Sequence, residues 1–263
     1  MFTLNVDPVL LTFGPLTLRW YALIVLAAIA VGIQLAIRES RRKGFVHGEI
    51  ADSVFWVVLA GLAGARLFHV VDHWPDEFAA DPARALRIWE GGLAIWGGVV
   101  GGLLALTLLA WRRGWNLPRL LDATAPGLVL AQALGRVACV ITGDAMGQPT
   151  QGPFGIAYLH PNALVPQRGV FYTPMPAYEL LANLGIFFVL WRLRGRAWPD
   201  GRLFLVYVIL YSLVRFGLAY VSAYQVVAFG LTQSQVVALL ALLGAVGVWA
   251  WQRVRTPAAT IRA

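Results

Sequence analysis

Three arginines lie inside long apolar runs of the sequence, where a charged side chain is unusual. Arg66, Arg136 and Arg215 each precede the end of such a run by five or six residues. At about 1.5 Å of helical rise per residue, each guanidinium would lie roughly 8–9 Å below the nearer membrane surface. A guanidinium stays ionised and presents a planar fork of donors that matches phosphate oxygens. The three arginines therefore predict a site for the phosphate of an anionic phospholipid whose acyl chains lie in the bilayer.

Two carboxylates near the ends of neighbouring apolar runs are candidate partners of these arginines. Asp144 follows the fourth run, and Glu179 lies near the start of the fifth. Either carboxylate could orient an arginine or serve as a general base. The alternative is a structural role, in which each arginine reaches back to the head-group layer or pairs with a carboxylate and takes no part in chemistry.

Glycine is concentrated at the start of the third apolar run. The segment 91–102 reads GGLAIWGGVVGG and includes Gly97 and Gly98. Small residues let a second helix or a lipid approach the backbone closely. The segment therefore predicts either a backbone surface for the substrate or an ordinary tight contact between helices.

The overall composition predicts an integral membrane protein. Of the 263 residues, 59% are hydrophobic and only 13% are charged, whereas soluble domains carry about 25% charged residues. The net charge of +8 arises mainly from short segments between the apolar runs, so it indicates membrane topology and not a nucleic-acid partner. His69 and His73 share one helical face, but no further His or Cys is placed to complete a metal site. We therefore expect neither a metal nor a cofactor.

Seven apolar runs are candidates for transmembrane helices. They cover residues 20–37, 54–71, 93–111, 123–141, 177–191, 203–221 and 236–251. Most reach the roughly 17–25 residues that a helix needs to cross the hydrocarbon core. The fifth run is the weakest because it is shorter and contains Glu179 and Asn183. The predicted fold is all-α, a single membrane domain over residues 1–263 with about seven transmembrane helices.

The basic residues predict the orientation of the chain. They are concentrated in four segments that follow the first, third, fifth and seventh runs: 38–44, 112–119, 192–202 and 253–263. Because basic residues favour cytoplasmic loops, this alternation predicts an external N-terminus and a cytoplasmic C-terminus. The long segment 142–176 then lies on the outer side, where we expect an ordered but irregular periplasmic cap. A disordered linker is the alternative.

Several of the residues singled out above occur in motifs that resemble one known family. The motifs are GPLTLRWYAL (14–23), GARLFHV (64–70), WEGGLAIWGG (89–98), DATAPGLVLAQALGRVACVITGD (122–144), the pair Tyr178–Glu179, and Tyr211 with Arg215. Together they resemble the prolipoprotein diacylglyceryl transferase family over almost the whole chain.

The resemblance implies an activity, two partners and a role for each matched residue. Members of that family take a diacylglyceryl group from phosphatidylglycerol and attach it to the lipobox cysteine thiol of a prolipoprotein. The reaction occurs at the outer face of the bacterial cytoplasmic (inner) membrane, so phosphatidylglycerol and prolipoprotein signal peptides are the implied partners. By this resemblance, Arg136 binds the lipid phosphate, and Arg66 and Arg215 hold the head group or the leaving phosphate. The residues implied to support the cavity are Tyr21, Tyr211 and Glu179.

The chain departs from the family's motifs mainly at positions of proton transfer. Trp96 replaces the histidine of a His-Gly-Gly motif, and Cys139 replaces an asparagine that follows the signature arginine. The alternative function is therefore a divergent relative that binds or moves anionic phospholipid without transferring its diacylglyceryl group. Transfer remains chemically feasible, because Asp144 or Glu179 could accept the thiol proton. A solute transporter is disfavoured, since the sequence shows no inverted repeat.

Overall fold

The computed structural model describes residues 1–14 and 16–255, and this part of the chain is mostly helical. Within it lie seven α-helices: α1 (Trp20–Arg42), α2 (His47–Asp72), α3 (Ile95–Arg112), α4 (Leu117–Thr142), α5 (Met175–Leu193), α6 (Arg202–Leu218) and α7 (Gln233–Arg255). Each apolar run of the sequence coincides with one of these helices. The prediction that the runs are helical is therefore confirmed.

Six helices in the described residues are long and apolar enough to cross a membrane. They are Trp20–Arg42, His47–Asp72, Ile95–Arg112, Leu117–Thr142, Arg202–Val221 and Gln233–Val254. Helix α5 is not among them, and its Glu179 and Asn183 are both buried by the protein itself. The chain is thus a polytopic membrane protein, as predicted, while the count of seven crossings stays a prediction.

Short strands accompany the helices, so the expected all-α class is refined to a mostly helical fold. In the described chain the strands are β1 (Phe2–Leu4), β2 (Val9–Phe13), β3 (Leu16–Arg19), β4 (Ile156–Tyr158), β5 (Phe171–Tyr172), β6 (Val226–Ala228) and β7 (Leu231–Thr232). They form a β1-β4-β5 sheet and two hairpins, β2-β3 and β6-β7. Strands of two to five residues are too short to show the alternating pattern by which a strand is predicted.

The segment between α4 and α5 is built around the β1-β4-β5 sheet. Strand β4 pairs in parallel with β1 and antiparallel with β5, which ties the N-terminus to this segment. Tyr158 of β4 and Tyr172 of β5 form a buried cluster with Met146. The Tyr158 hydroxyl donates a hydrogen bond to the Val140 carbonyl oxygen, and burial raises the pKa of Tyr158. The segment that was predicted as an irregular cap thus contains a small sheet with a packed interior.

The chain divides into two compact units. The first unit comprises Met1–Ala36 and the chain from Leu121 onward, and the second comprises Ile37–Leu120. In the first unit α6 packs against α5 and α7. A buried cluster near these helices consists of Ala125, Val129, Ile186, Leu190, Leu203 and Tyr207. The prediction of a single membrane domain over residues 1–263 stays a prediction.

A carboxylate on α4 caps the start of α6 in the first unit. Asp122 accepts hydrogen bonds from the backbone amides of Gly201 and Phe204, both at 2.9 Å. The first amides of a helix have no partner inside the helix, so a carboxylate at this position satisfies them and stabilises the helix dipole. Asp122 therefore fixes where α6 begins relative to α4.

In the second unit α2 and α3 meet through glycines. A side chain added at Gly64 would collide with the Gly97 carbonyl, and one added at Gly101 would collide with the Ala60 carbonyl. The amide of Ala94, just before α3, also donates to the Ala65 carbonyl oxygen at 3.0 Å. The two backbones are therefore in direct contact, which small residues alone permit.

Candidate active site

A close contact between α1 and α4 places Tyr21 and Arg136 at the same end of this helix pair. A Cβ placed on Gly32 of α1 would lie 2.8 Å from both the Gly127 carbonyl oxygen and the Ala131 Cβ of α4. The two helices run in opposite directions from this contact. Tyr21 lies about 16 Å along α1 and Arg136 about 14 Å along α4, so both residues reach the same end of the helix pair.

The centre of the site is one carboxylate held between two arginines. Glu179 of α5 forms ion pairs with Arg136 of α4 through Oε2 and with Arg215 of α6 through Oε1. The Glu179 side chain is 6% exposed, against 24% for Arg136 and 19% for Arg215. Three predicted site residues from three helices are thus brought together, and the cluster keeps a net charge of +1.

The two arginines of this cluster have donors left over for a ligand. Each guanidinium carries five N–H donors. Arg136 directs one at Glu179 and makes a weak contact of 3.9 Å with the Cys139 Sγ. Arg215 directs one at Glu179 and one at the Tyr224 hydroxyl, at 3.1 Å. The other donors have no protein acceptor among the described residues, and an oxyanion is the ligand that they suit.

Tyr224 also belongs to this cluster, although its sequence position does not indicate it. Its ring also lies 5.3 Å from the Arg215 guanidinium carbon, which is the geometry of a cation–π contact. The residue stands between α6 and the β6-β7 hairpin, and Gln148 ties this stretch to the α4–α5 segment by bonding the carbonyls of Val221 and Ser222. Nothing in the spacing of Tyr224 from Arg215 indicates this contact, because the chain leaves the helix between them.

The remaining predicted residues of the first unit surround this cluster. The Tyr21 hydroxyl lies within electrostatic range of Arg136, Cys139 and Asp144. The Tyr211 hydroxyl lies within range of Arg136 and is stacked beside Tyr207, with ring centroids 5.7 Å apart. Asp144 is half-buried, and the ion pairs of both arginines are with Glu179 and not with Asp144.

Arg66, in the second unit, has a different environment. Its guanidinium donates five hydrogen bonds of 2.6–3.4 Å, all to backbone carbonyl oxygens. The acceptors belong to the loop before α3: Arg84, Ala85, Arg87, Gly91 and Gly92. Phe78 covers the guanidinium at 5.3 Å. Arg66 therefore organises a loop, and its predicted contact with the substrate head group stays a prediction.

Two glycines make this arrangement of carbonyls possible. Gly91 and Gly92 have φ values of +93° and +73°, which residues with a Cβ rarely adopt. A Cβ on Gly92 would also lie 2.7 Å from Arg66 Nη1. Further along, Gly97 packs on Gly64, whereas a Cβ at Gly98 would meet only ordinary contacts. The helix-packing interpretation thus accounts for Gly97, and a role of either glycine in substrate binding stays a prediction.

Comparisons with known proteins identify the family of this chain. The family model described as prolipoprotein diacylglyceryl transferase matches residues 8–251. Three similar proteins are each named phosphatidylglycerol–prolipoprotein diacylglyceryl transferase. The protein of Halalkalibacterium halodurans is 32% identical over 253 residues, covering 95% of this chain and 87% of its own.

The two other relatives have slightly higher identities. The protein of Thermosynechococcus vestitus is 34% identical over 247 residues and covers 91% of this chain and 89% of its own. That of Parasynechococcus marenigrum is 35% identical over 265 residues and covers 95% of both chains. The family match spans nearly the whole chain, including every residue of the Arg136–Glu179–Arg215 cluster. The chain therefore belongs to the prolipoprotein diacylglyceryl transferase family.

Proposed function

We propose that this protein transfers the diacylglyceryl group of phosphatidylglycerol to the lipobox cysteine of bacterial prolipoproteins. The observation that carries the proposal is the pair of arginines sharing Glu179, with donors left for a phosphate. Family membership supports the same reaction, because the relatives are named for these two substrates.

The reaction is a displacement at the glycerol carbon that bears the phosphate ester. The sulfur of the acceptor cysteine attacks this carbon, a C–S thioether bond forms, and the C–O bond to phosphate breaks. Glycerol phosphate leaves with the bonding electron pair, and the thiol proton passes to a base. Arg136 and Arg215 stabilise the charge that develops on the leaving phosphate, which is the strongest contribution that such a site can make.

The two carboxylates have separate roles in this proposal. Both carboxylate oxygens of Glu179 are occupied by guanidiniums, so its role is to orient Arg136 and Arg215. Asp144 is not bound by either arginine and is the better candidate to accept the thiol proton. A free thiol is ionised to a few per cent at neutral pH, which reduces the demand on this base. Tyr21 and Tyr211 then line the side of the site next to Arg136.

The proposed topology places the site on the outer side of the bacterial inner membrane. It has seven crossings, with α5 included because the protein buries its polar residues Glu179 and Asn183. The basic segments favour an external N-terminus, a cytoplasmic C-terminus and a periplasmic segment 142–176. Phosphatidylglycerol then reaches the arginines from the outer leaflet, and the signal peptide arrives with its apolar part already in the membrane.

The test is direct transfer by the purified protein. It is incubated in detergent micelles with phosphatidylglycerol and a synthetic lipobox peptide, and the peptide is analysed by mass spectrometry. We expect the mass of one diacylglyceryl group to be added, and the same peptide with Ser in place of its cysteine to stay unmodified. Binding of phosphatidylglycerol without transfer would favour the alternative, a lipid-binding relative, and Trp96 would then be the first residue to examine.

A further inference from the structure

Helix α6 presents two different faces within the first unit. Tyr207, Tyr211 and Arg215 follow one another at a spacing of four residues on one face, where the Tyr207 hydroxyl donates to Gln132 of α4 and Arg215 pairs with Glu179 of α5. Arg202, Val206, Ile209 and Leu210 have the spacing i, i+4, i+7 and i+8, which places them on one face of a helix. At 100° of rotation per residue, this second face lies roughly half a turn around the helix axis from Arg215. It is therefore not part of the active site.

An apolar groove runs along this second face, between α6 and α7. It is lined by Val206, Ile209, Leu210, Val246 and Trp249. Its volume is about 220 Å³, far more than the roughly 10–15 Å³ that a cavity needs to hold one water on the same measure. A groove without polar lining, open on the side of a membrane helix pair, suits a stretch of acyl chain.

A buried donor stands at one end of this groove. Arg202 is the first residue of α6, one helical turn from Val206. Its Nε is buried and has no hydrogen-bond acceptor in the part of the chain that the structure describes. The guanidinium lies over the Trp249 ring at 5.6 Å, and Trp198 meets Trp249 edge-on at 6.2 Å. A buried N–H without an acceptor is costly, so this guanidinium is only partly satisfied by the described protein atoms.

The charge around Arg202 favours an anion. The stretch 192–202, from the last turn of α5 to the first residue of α6, contains four arginines and one carboxylate, that of Asp200. Asp122, which also lies near the start of α6, is engaged with the amides of Gly201 and Phe204. Tryptophan rings beside arginines are typical of the head-group layer, where the ring and the charge both find favourable surroundings.

We propose that this groove binds one anionic phospholipid, with the phosphate on Arg202 and an acyl chain along α6 and α7. The lipid belongs to the leaflet on the side of the α5–α6 loop. Arg202 and Arg215 stand at opposite ends of α6, about 20 Å apart along its axis, so this lipid is not the substrate. Zwitterionic lipids carry the same phosphate, but the excess of arginines in the loop selects for a net negative head group.

The experiment is photochemical mapping of lipid contacts on the full-length protein in nanodiscs. The probe is phosphatidylglycerol with a diazirine in one acyl chain, compared with phosphatidylethanolamine that carries the same chain. We expect label from phosphatidylglycerol on residues 206–210 and 246–249, and clearly less from the zwitterionic probe. Equal labelling by both probes, or no label on these residues in the wild-type protein, would overturn the proposal.

Two variants and one control connect the label to the groove. Arg202→Gln should reduce the label on residues 206–210 about fivefold, the effect of losing one basic residue beside an anionic head group. Leu210→Trp should reduce it by filling the groove while leaving Arg202 in place. Arg196→Gln is the control, because it removes one exposed charge from the same loop and should change the label less than twofold or so. A loss as large in Arg196→Gln as in Arg202→Gln would show diffuse attraction and contradict a defined site.

Discussion

Arg66 and the pair Arg136–Arg215 show how differently one residue type is used in the two units. The guanidinium of Arg66 gives all five donors to backbone carbonyls and is covered by Phe78. Arg136 and Arg215 share a single carboxylate and keep donors that no described protein atom accepts. An arginine whose donors are satisfied by backbone is a structural element, whereas one that is only partly satisfied can bind an anion.

The first and largest effect is expected for Arg136→Lys. One ammonium cannot reproduce the bonds of a guanidinium to Glu179 and to a phosphate at the same time. Loss of one donor at a developing oxyanion typically costs about 10²–10³ in rate, and we expect the transfer rate to fall by at least that factor. The rate is measured as diacylglyceryl transfer to the lipobox peptide, and membrane insertion of the variant is checked in the same preparation. Wild-type turnover in this variant would show that Arg136, like Arg66, supports the fold and does not bind the phosphate.

A smaller effect is expected for Glu179→Gln, which tests whether this residue positions the arginines. The two guanidiniums lose the carboxylate that holds them, and a misplacement of about 1 Å can cost roughly 10² in rate. The cluster becomes more positive, so phosphatidylglycerol should bind as tightly as before or more tightly. We therefore expect kcat to fall while KM for the lipid stays constant or decreases. An increase in KM with kcat unchanged would contradict the positioning role.

The smallest effect on the reaction is expected for Arg66→Lys. An ammonium has three donors, so at least two of the five loop carbonyls lose their partner. Each unsatisfied buried group costs about 1–3 kcal/mol, and thermal unfolding in micelles should shift to lower temperature. The rate per folded molecule should stay within about tenfold of wild type, because the loop carbonyls and not the phosphate lose contacts. A rate loss as large as that of Arg136→Lys, without loss of stability, would place Arg66 at the phosphate.

The sequence predicted the helices well and the roles of the arginines only in part. Apolar runs identify helices because a bilayer demands continuous hydrophobic surface, but the α4 run was predicted from residue 123 and the helix begins at Leu117. Pro118 and Asp122 interrupt the apolar pattern there, although proline suits the first turn of a helix.

The difference between Arg66 and Arg136 could not be predicted from their own surroundings in the sequence. Each lies six residues before the last residue of an apolar helix. The partners of Arg66 are carbonyl groups 18 to 26 residues further along, and any residue type carries a carbonyl. Glu179 was predicted as a possible partner because a carboxylate is visible in the sequence. Tyr224 was not, because its contact depends on how the chain turns after α6.

The cap that Asp122 provides for α6 has a mechanical consequence. Two connections join α4 to α6. The first is formed by the Asp122 carboxylate of α4 and the backbone amides of Gly201 and Phe204 at the start of α6. The second connection is Glu179 of α5, whose carboxylate pairs with Arg136 of α4 and Arg215 of α6. If α6 advanced by a single residue it would turn by about 100° and rise 1.5 Å, and Arg215 would leave the carboxylate. The Asp122 cap therefore fixes the rotation of α6 about its own axis. By doing so it sets the direction in which Arg215 points at the other end of the helix.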